Sequence, residues 1–381
     1  MASQAPELPF TMKAQELHAY NTPYILRDVP IPKIMSPYDL LIKIDAASYC
    51  HTDAVVTAGQ KPGCPSKFPH VGCHEFAGTV IAKHAGAAPC ARTFQPGDRV
   101  GVVGCAYHPC EECDECLSYG GPESDSDPPG YSVYCPHAGN LGITLDGGFQ
   151  EYAVVDARQV AVIPTGMSAA EAAPLMCAGV TIYAALKKLG LERGQGIGII
   201  GCGGGLGHLG LQFAVKMGLD VIGVDNADRP LQLARELNTG ARIVDARSEE
   251  AADIAQGVNS TKGGKPRPSG ERGLDAVIVL PESQRAFDYG VKLLRNHGKC
   301  MVISVPTEGF RFSAADVVLR DISIIGSLVG SNRVTKEMLE FAARHQVKSV
   351  SRSFPLTGLN DLVREYEKGL GGKLVIDMSL R

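Results

Sequence analysis

The stretch that most restricts the architecture is Gly201-Cys202-Gly203-Gly204-Gly205-Leu206-Gly207, a glycine run set between a short apolar segment and an amphipathic one. Ile197-Gly198-Ile199-Ile200 before it reads as a strand, Leu209 to Met217 after it as a helix, and Val221-Ile222-Gly223-Val224 as a second strand ending in Asp225. A strand, a glycine turn and a helix, with an acid about twenty residues on, make a dinucleotide-binding unit. The glycines let the backbone approach a pyrophosphate at the helix N-terminus, and the acid accepts the ribose hydroxyls. Gly201, Gly203, Gly204, Gly205, Leu206, Gly207 and Asp225 are therefore candidate cofactor contacts. A carboxylate at Asp225 repels a 2′-phosphate and favours NAD over NADP. Arg229 is the nearby basic group able to serve a phosphate, or else a solvated first-turn residue.

The alternation continues with strands at 242–244, 274–280, 299–305 and 322–325 and helices at 249–256 and 284–294. That pattern implies an α/β fold with a doubly wound parallel sheet. Residues 1 to about 100 differ: short runs such as Asp39 to Ile44 and Gly78 to Ala82 lie between Pro- and Gly-rich turns, the mark of a β-rich region. At 381 residues the chain exceeds the roughly 250 to 300 at which single cores stop growing, so two domains are expected. The expected division is 1–178 with 331–381, and 179–330 for the dinucleotide. Ala169 to Leu189 reads as one helix containing Cys177, and the tail (helices 335–344 and 359–368, strand 374–376) returns to the first domain. The polar runs 120–131 and 257–273 read as a flexible insert and a mobile surface loop.

Twelve cysteines in so long a chain, with no apolar export signal in Met1 to Tyr20, point to metal or free thiols rather than disulfides. Cys110, Cys113 and Cys116 recur at intervals of three, and Cys135 follows after eighteen residues. Such repetition fits a loop wrapped around a closed four-thiolate zinc. Cys135 is the expected fourth ligand, with Cys105 as its competitor.

Three other pieces are Cys50-His51-Thr52-Asp53, Cys73-His74-Glu75, and Cys177 within Pro174 to Gly179. Two thiolates and an imidazole form a soft set that suits zinc and leaves a tetrahedral position open for chemistry. Singly, such residues are more often buried or solvated than ligating. Together, C-H-T-D, the His-Glu pair and a Cys in A-P-x-x-C-A-G-x-T resemble the zinc-dependent medium-chain alcohol dehydrogenases, yeast-type branch, from about Ala14 to the C-terminus. The glycine turn, read as G-x-x-G-G-x-G, resembles the same branch.

The resemblance implies a GroES-like catalytic domain beside a Rossmann domain, two zinc ions per chain, NAD, and reversible hydride transfer between an alcohol and the nicotinamide. The catalytic zinc would rest on Cys50, His74 and Cys177, with Glu75 approaching when substrate is absent, and would lower the pKa of the bound alcohol. Thr52 would take the proton, His51 would contact the pyrophosphate, and Asp53 would orient His74. Thr181 would pack on the nicotinamide, Arg333 would contact the cofactor, and Lys373 stands where the branch usually carries Arg. Val55 occupies the place of a relay His, so the proton is expected to leave through His51 or water. Cys73 replaces a Gly and is expected as a small buried residue. The chain has no Trp, and Thr57, Lys61 and about Gly104 stand where bulky ones are usual, which implies a pocket for alcohols or aldehydes larger than ethanol. A homodimer or homotetramer is implied as well.

A net charge of −4 leaves no basic footprint for nucleic acid. No stretch reaches the roughly 18 apolar residues of a membrane span, and a cytoplasmic location is expected. Two other readings share this architecture. A zinc-free quinone or enoyl reductase would lack Cys50, His74 and Cys177, and a non-catalytic zinc-stabilised protein would bind NAD without turnover.

Overall fold

In the computed structural model, residues 8–61, 63–118, 120–121, 124–258, 261–262, 265–266 and 272–381 are described. The strand Asp39–Tyr49 is the spine of the first sheet. It is buried along nearly its whole length because it pairs on both edges, with Glu75–Lys83 on one side and with Tyr152–Asp156 and Lys373–Asp377 on the other. Arg99–Val103, Val160–Val162 and Ser351–Phe354 complete that sheet. The last strand thus lies against the Tyr49 end of the spine, with Leu374 opposite Tyr49. Lys373 and Cys50 are brought together in this way although 323 positions separate them.

The second sheet has six parallel strands in the order Arg242–Asp245, Asp220–Asp225, Gly196–Ile200, Leu274–Val279, Leu294–Val302, Ser323–Gly326. Gly196–Ile200 and Leu274–Val279 are buried at every residue, as strands covered on both faces must be. The chain order reverses between these two, and at such a switch point the crevice beyond the strand ends receives ligands. The glycine turn leaves Ile200 there. The fold is thus the expected pairing of a β-rich GroES-like region with a Rossmann-type parallel sheet.

Two helices, Ala178–Leu189 and Asn332–His345, join the sheets. Val180, Ile182, Val334 and Met338 share one core with Ala46, Ala77 and Ala161 of the first sheet and Ile197, Ile199 and Ile278 of the second. Among the described residues no single helix is long and apolar enough to cross a membrane.

Several elements differ from expectation. The helix expected over 169–189 is broken: Ala169–Ala172 runs into a 3-10 turn at Ala173–Met176, and a new helix begins at Ala178. Pro174 lacks the N–H that a continuous helix would use. Cys177 sits at the break with φ −127° and ψ −65°, and the two segments meet at 51°. The strand expected at 299–305 spans Leu294–Val302 instead, because Leu294 already pairs with Leu274. The insert at 120–131 is not loose in its described part, since Asp127 is buried and accepts the N–H groups of Asn332 (2.8 Å) and Arg333 (3.0 Å). Asp125 also pairs with Lys187 at 2.6 Å. Most of the surface loop expected at 257–273 lies outside the described residues.

Candidate active site

The spine strand ends at Tyr49, and Cys50 caps the helix His51–Thr57 that follows. His74 precedes the strand Glu75–Lys83, and Cys177 occupies the helix break. From these three places the ligand atoms of Cys50, His74 and Cys177 converge to within 4.8 Å of one another. His74 Nε2 lies 3.3 Å from Cys177 Sγ. All three groups are shielded, and the hydrogen bond with Cys177, aided by Lys373 and His74, holds the Cys50 thiol well below its usual pKa. Two sulfurs and an imidazole nitrogen gathered in so small a space fit zinc with a position to spare.

Asp53 is built into this cluster differently from expectation. Its Oδ1 is 3.8 Å from His74 Nδ1, too far for a hydrogen bond. Its oxygens instead accept main-chain N–H groups, Oδ2 from Cys50 (2.8 Å) and Oδ1 from Cys73 (2.9 Å). One buried carboxylate therefore clamps the two segments that carry Cys50 and His74. Glu75 also lies outside the set of mutually close ligand atoms. It is fully buried, takes an ion pair from Lys373 through Oε1, and has Oε2 3.4 Å from the Ala178 N. Lys373 donates further to the Tyr49 carbonyl at 2.9 Å. Burial opposes its charge, but Glu75 and the two thiols outweigh it and hold the lysine pKa above the usual range.

Lys373 also meets the glycine turn. A Cβ on Gly205 would lie 3.1 Å from its Cδ, and Gly372 donates its N–H to the Gly203 carbonyl at 3.2 Å. One lysine thus has the turn on one side and the neighbour of His74 on the other. At Gly203 only glycine fits, because a Cβ would stand 2.1 Å from the Pro230 carbonyl oxygen. Asp225 accepts from Gly203 N (3.0 Å) and Asn226 N (2.9 Å), so it closes the turn from the end of the next strand. Arg229 is exposed, with Nη1 3.3 Å from Gln232 Oε1. The buried hydroxyl of Thr181 has no hydrogen-bond partner among the described residues, as expected of a group awaiting a ligand.

Thr52 Oγ1 is 3.9 Å from Cys50 Sγ. His51 is half exposed, hydrogen-bonded through Nδ1 to Tyr366 Oη (2.8 Å) and 3.5 Å from Glu282 Oε1. Neither Tyr366 nor Glu282 belongs to any sequence motif, and only the fold brings them here. Arg333 donates to the Ser124 carbonyl (2.6 Å), so its guanidinium meets the 120–131 insert. Gly104 is pressed on the main chain of His74, where a Cβ would stand 2.7 Å from the carbonyl oxygen. No side chain could project into a pocket from that position.

In the second cysteine cluster the sulfurs of Cys110, Cys113, Cys116 and Cys135 lie within 4.8 Å of one another, and Cys105 is not among them. Cys135 Sγ is 3.7 Å from Cys110 and 3.9 Å from Cys113, distances too long for disulfides and suited to a shared cation.

Comparison with known proteins accords with this geometry. Residues 36–165 match the alcohol dehydrogenase GroES-like domain, and residues 205–344 match the zinc-binding dehydrogenase domain. An alcohol dehydrogenase of Geobacillus stearothermophilus is 35% identical over 366 residues, covering 96% of this chain and 99% of the relative. The chain belongs to the zinc-binding alcohol dehydrogenase family. Among solved structures of alcohol dehydrogenases, that of the hyperthermophilic archaeon Aeropyrum pernix superposes with a TM-score of 0.80 at 28% identity, covering 96% of this chain and 99% of the other. An acetophenone reductase from Geotrichum candidum, in complex with NAD, superposes with a TM-score of 0.75 at 26% identity, covering 97% and 98%. As an alcohol dehydrogenase the protein is an oxidoreductase acting on alcohols or aldehydes.

Proposed function

We propose that this alcohol dehydrogenase works with two zinc ions per chain and NAD, and that it belongs to the yeast-type branch. The observation that carries the reading is the placement of Lys373, which touches both the dinucleotide turn and the residue beside His74. Cys50, His74 and Cys177 hold the catalytic metal, and Cys110, Cys113, Cys116 and Cys135 hold a structural one. When bound, the catalytic zinc would supply the Lewis acidity that acidifies an alcohol hydroxyl, and NAD would supply the hydride acceptor. Thr52, next but one to a ligand, takes the hydroxyl proton as it passes its own on through His51 or water, and His51 meets the pyrophosphate together with the amides of Gly205 to Gly207. Asp225 accepts the ribose hydroxyls and disfavours a 2′-phosphate. Thr181 orients the nicotinamide, and Arg229 remains at the solvated rim.

The domain division, 1–178 with 331–381 and 179–330, follows the two sheets in this reading. Substrates larger than ethanol are supported by Thr57 and Lys61 in place of bulky rings, and by the acetophenone reductase among the structural neighbours. The exposed edge strand Ser323–Gly326 shows Ile324, and the preceding helix Ala314–Arg320 buries no residue and exposes Val318 and Leu319. An apolar open sheet edge is a pairing site, which supports a homodimer or a homotetramer built from it. Metal analysis with an NADH-linked aldehyde panel tests the proposal. Two zinc ions per chain are expected, one of them lost to chelator together with activity. Activity indifferent to chelation would refute it, and ethanal as the best substrate would refute the larger pocket.

A further inference from the structure

His208 lies in the helix Gly207–Lys216 directly after the glycine turn, is fully buried, and has no part in the chemistry above. Its Nδ1 is 2.9 Å from the Gly204 carbonyl oxygen. Its Nε2 is 3.1 Å from the Val350 main-chain nitrogen and 3.3 Å from Ser349 Oγ. A carbonyl oxygen only accepts and a main-chain N–H only donates, so a single arrangement satisfies both: the proton on Nδ1, the lone pair on Nε2, and a neutral ring. Burial pushes the ring pKa down to about 4, in keeping with that state.

Each contact leads further. The Gly204 carbonyl also accepts the N–H of His208 itself at 3.1 Å, so this oxygen at the tip of the turn is held twice from behind. In front, a Cβ on Gly204 would touch only the Gly201 carbonyl oxygen, at 3.4 Å, so no other element packs against the tip. Val350 belongs to the segment returning from the far end of the chain, and its carbonyl accepts the N–H of Lys373 at 2.9 Å. Gln212, one helical turn beyond His208, exchanges hydrogen bonds of 2.8 and 3.0 Å with the Lys348 main chain. A continuous line of hydrogen bonds therefore runs from Gly204 through His208, Val350 and Lys373 to Glu75.

We infer that His208 is a positioning residue: it turns the Gly204 carbonyl inward so that the neighbouring amides face the dinucleotide, and it ties cofactor binding to the Lys373–Glu75 pair. The inference rests on the proposed NAD site, so the wild-type enzyme is titrated with NADH first. His208→Asn keeps a donor near Nδ1 and loses the acceptor, whereas His208→Gln keeps an acceptor near Nε2 and loses the donor. With one buried hydrogen bond at stake, His208→Gln should weaken NADH binding about tenfold, with most of the kinetic loss in the KM for NAD rather than in kcat. His208→Asn should bind NADH clearly better than the Gln variant. Equal NADH affinity in the two variants, even with lowered melting temperatures, would overturn the inference. Absence of NADH binding by the wild type would remove the cofactor reading and this inference with it. Hydrogen exchange in the wild type keeps the test open if neither variant folds. NADH should slow exchange at the Val350 amide severalfold, and unchanged exchange there would also overturn the inference.

Discussion

Replacing Asp53 by Asn isolates the clamp that holds the proposed catalytic metal site together. The side chain is 1% exposed, and its two oxygens accept from Cys50 N at 2.8 Å and Cys73 N at 2.9 Å. Asparagine has nearly the same shape but one acceptor and one donating NH₂, so one of the two main-chain donors would face another donor. A hydrogen bond to a charged group contributes about 1.5–3 kcal/mol, and a buried donor left without a partner costs about 1–3 kcal/mol more, so a loss of roughly 3–5 kcal/mol is expected. The loss falls where Cys50 and His74 are positioned and leaves the four-cysteine loop alone. Zinc per chain and the thermal midpoint are the measurements. The variant should retain close to one zinc, and its midpoint should drop by at least about 5 °C. Two zinc ions retained with an unchanged midpoint would show that the clamp reasoning is wrong.

Lys373→Met strands a buried carboxylate, which costs about 3–5 kcal/mol, and adding Glu75→Gln should recover much of it in a double-mutant cycle followed by thermal unfolding. Cys73 is fully buried yet has φ +79°, a left-handed backbone that costs a side-chain-bearing residue about 1–2 kcal/mol. Cys73→Gly should therefore be neutral to within about 1 kcal/mol, because relief of strain offsets the lost packing, whereas Cys300→Gly, at a fully buried position of the strand Leu294–Val302, should cost about 2 kcal/mol or more. His208 has its pKa depressed to about 4, so the unfolded chain binds the extra proton between there and the usual histidine value. Its stabilisation is complete above about pH 6.5 and is lost as pH falls toward 4, about 2 kcal/mol by pH 5. Melting curves of wild type and His208→Gln at pH 7.5 and 5.0 should differ by that much in their pH response, and equal responses would refute it.

Much of the site was readable before any fold was known, for reasons that differ by element. The strand, glycine turn, helix and Asp225 lie within thirty residues, and the spacing of Cys110, Cys113 and Cys116 is local as well, so chemistry and sequence distance coincide. The size of the bend at Cys177 was not readable, since Pro174 marks a break in the helical pattern of Ala169 to Leu189 but the 51° angle depends on what the two segments pack against. Nor was the docking of Asp127 on Asn332 and Arg333, which joins residues 205 positions apart. That contact turns an insert of loop-like composition into a fixed strap.

Local backbone chemistry was enough to specify a glycine turn between strand and helix, a loop of closely spaced cysteines and the alternating strands and helices around them, because each of these depends on neighbours a few residues away. Convergence was a different matter. Cys50, His74 and Cys177 meet, Asp53 clamps two main-chain nitrogens instead of a ring, and Lys373 turns inward to Glu75, because the spine strand pairs on both edges at once and draws the end of the chain against its beginning. Burial then decides what those side chains can do, since a carboxylate or ammonium enclosed there must find a partner within reach.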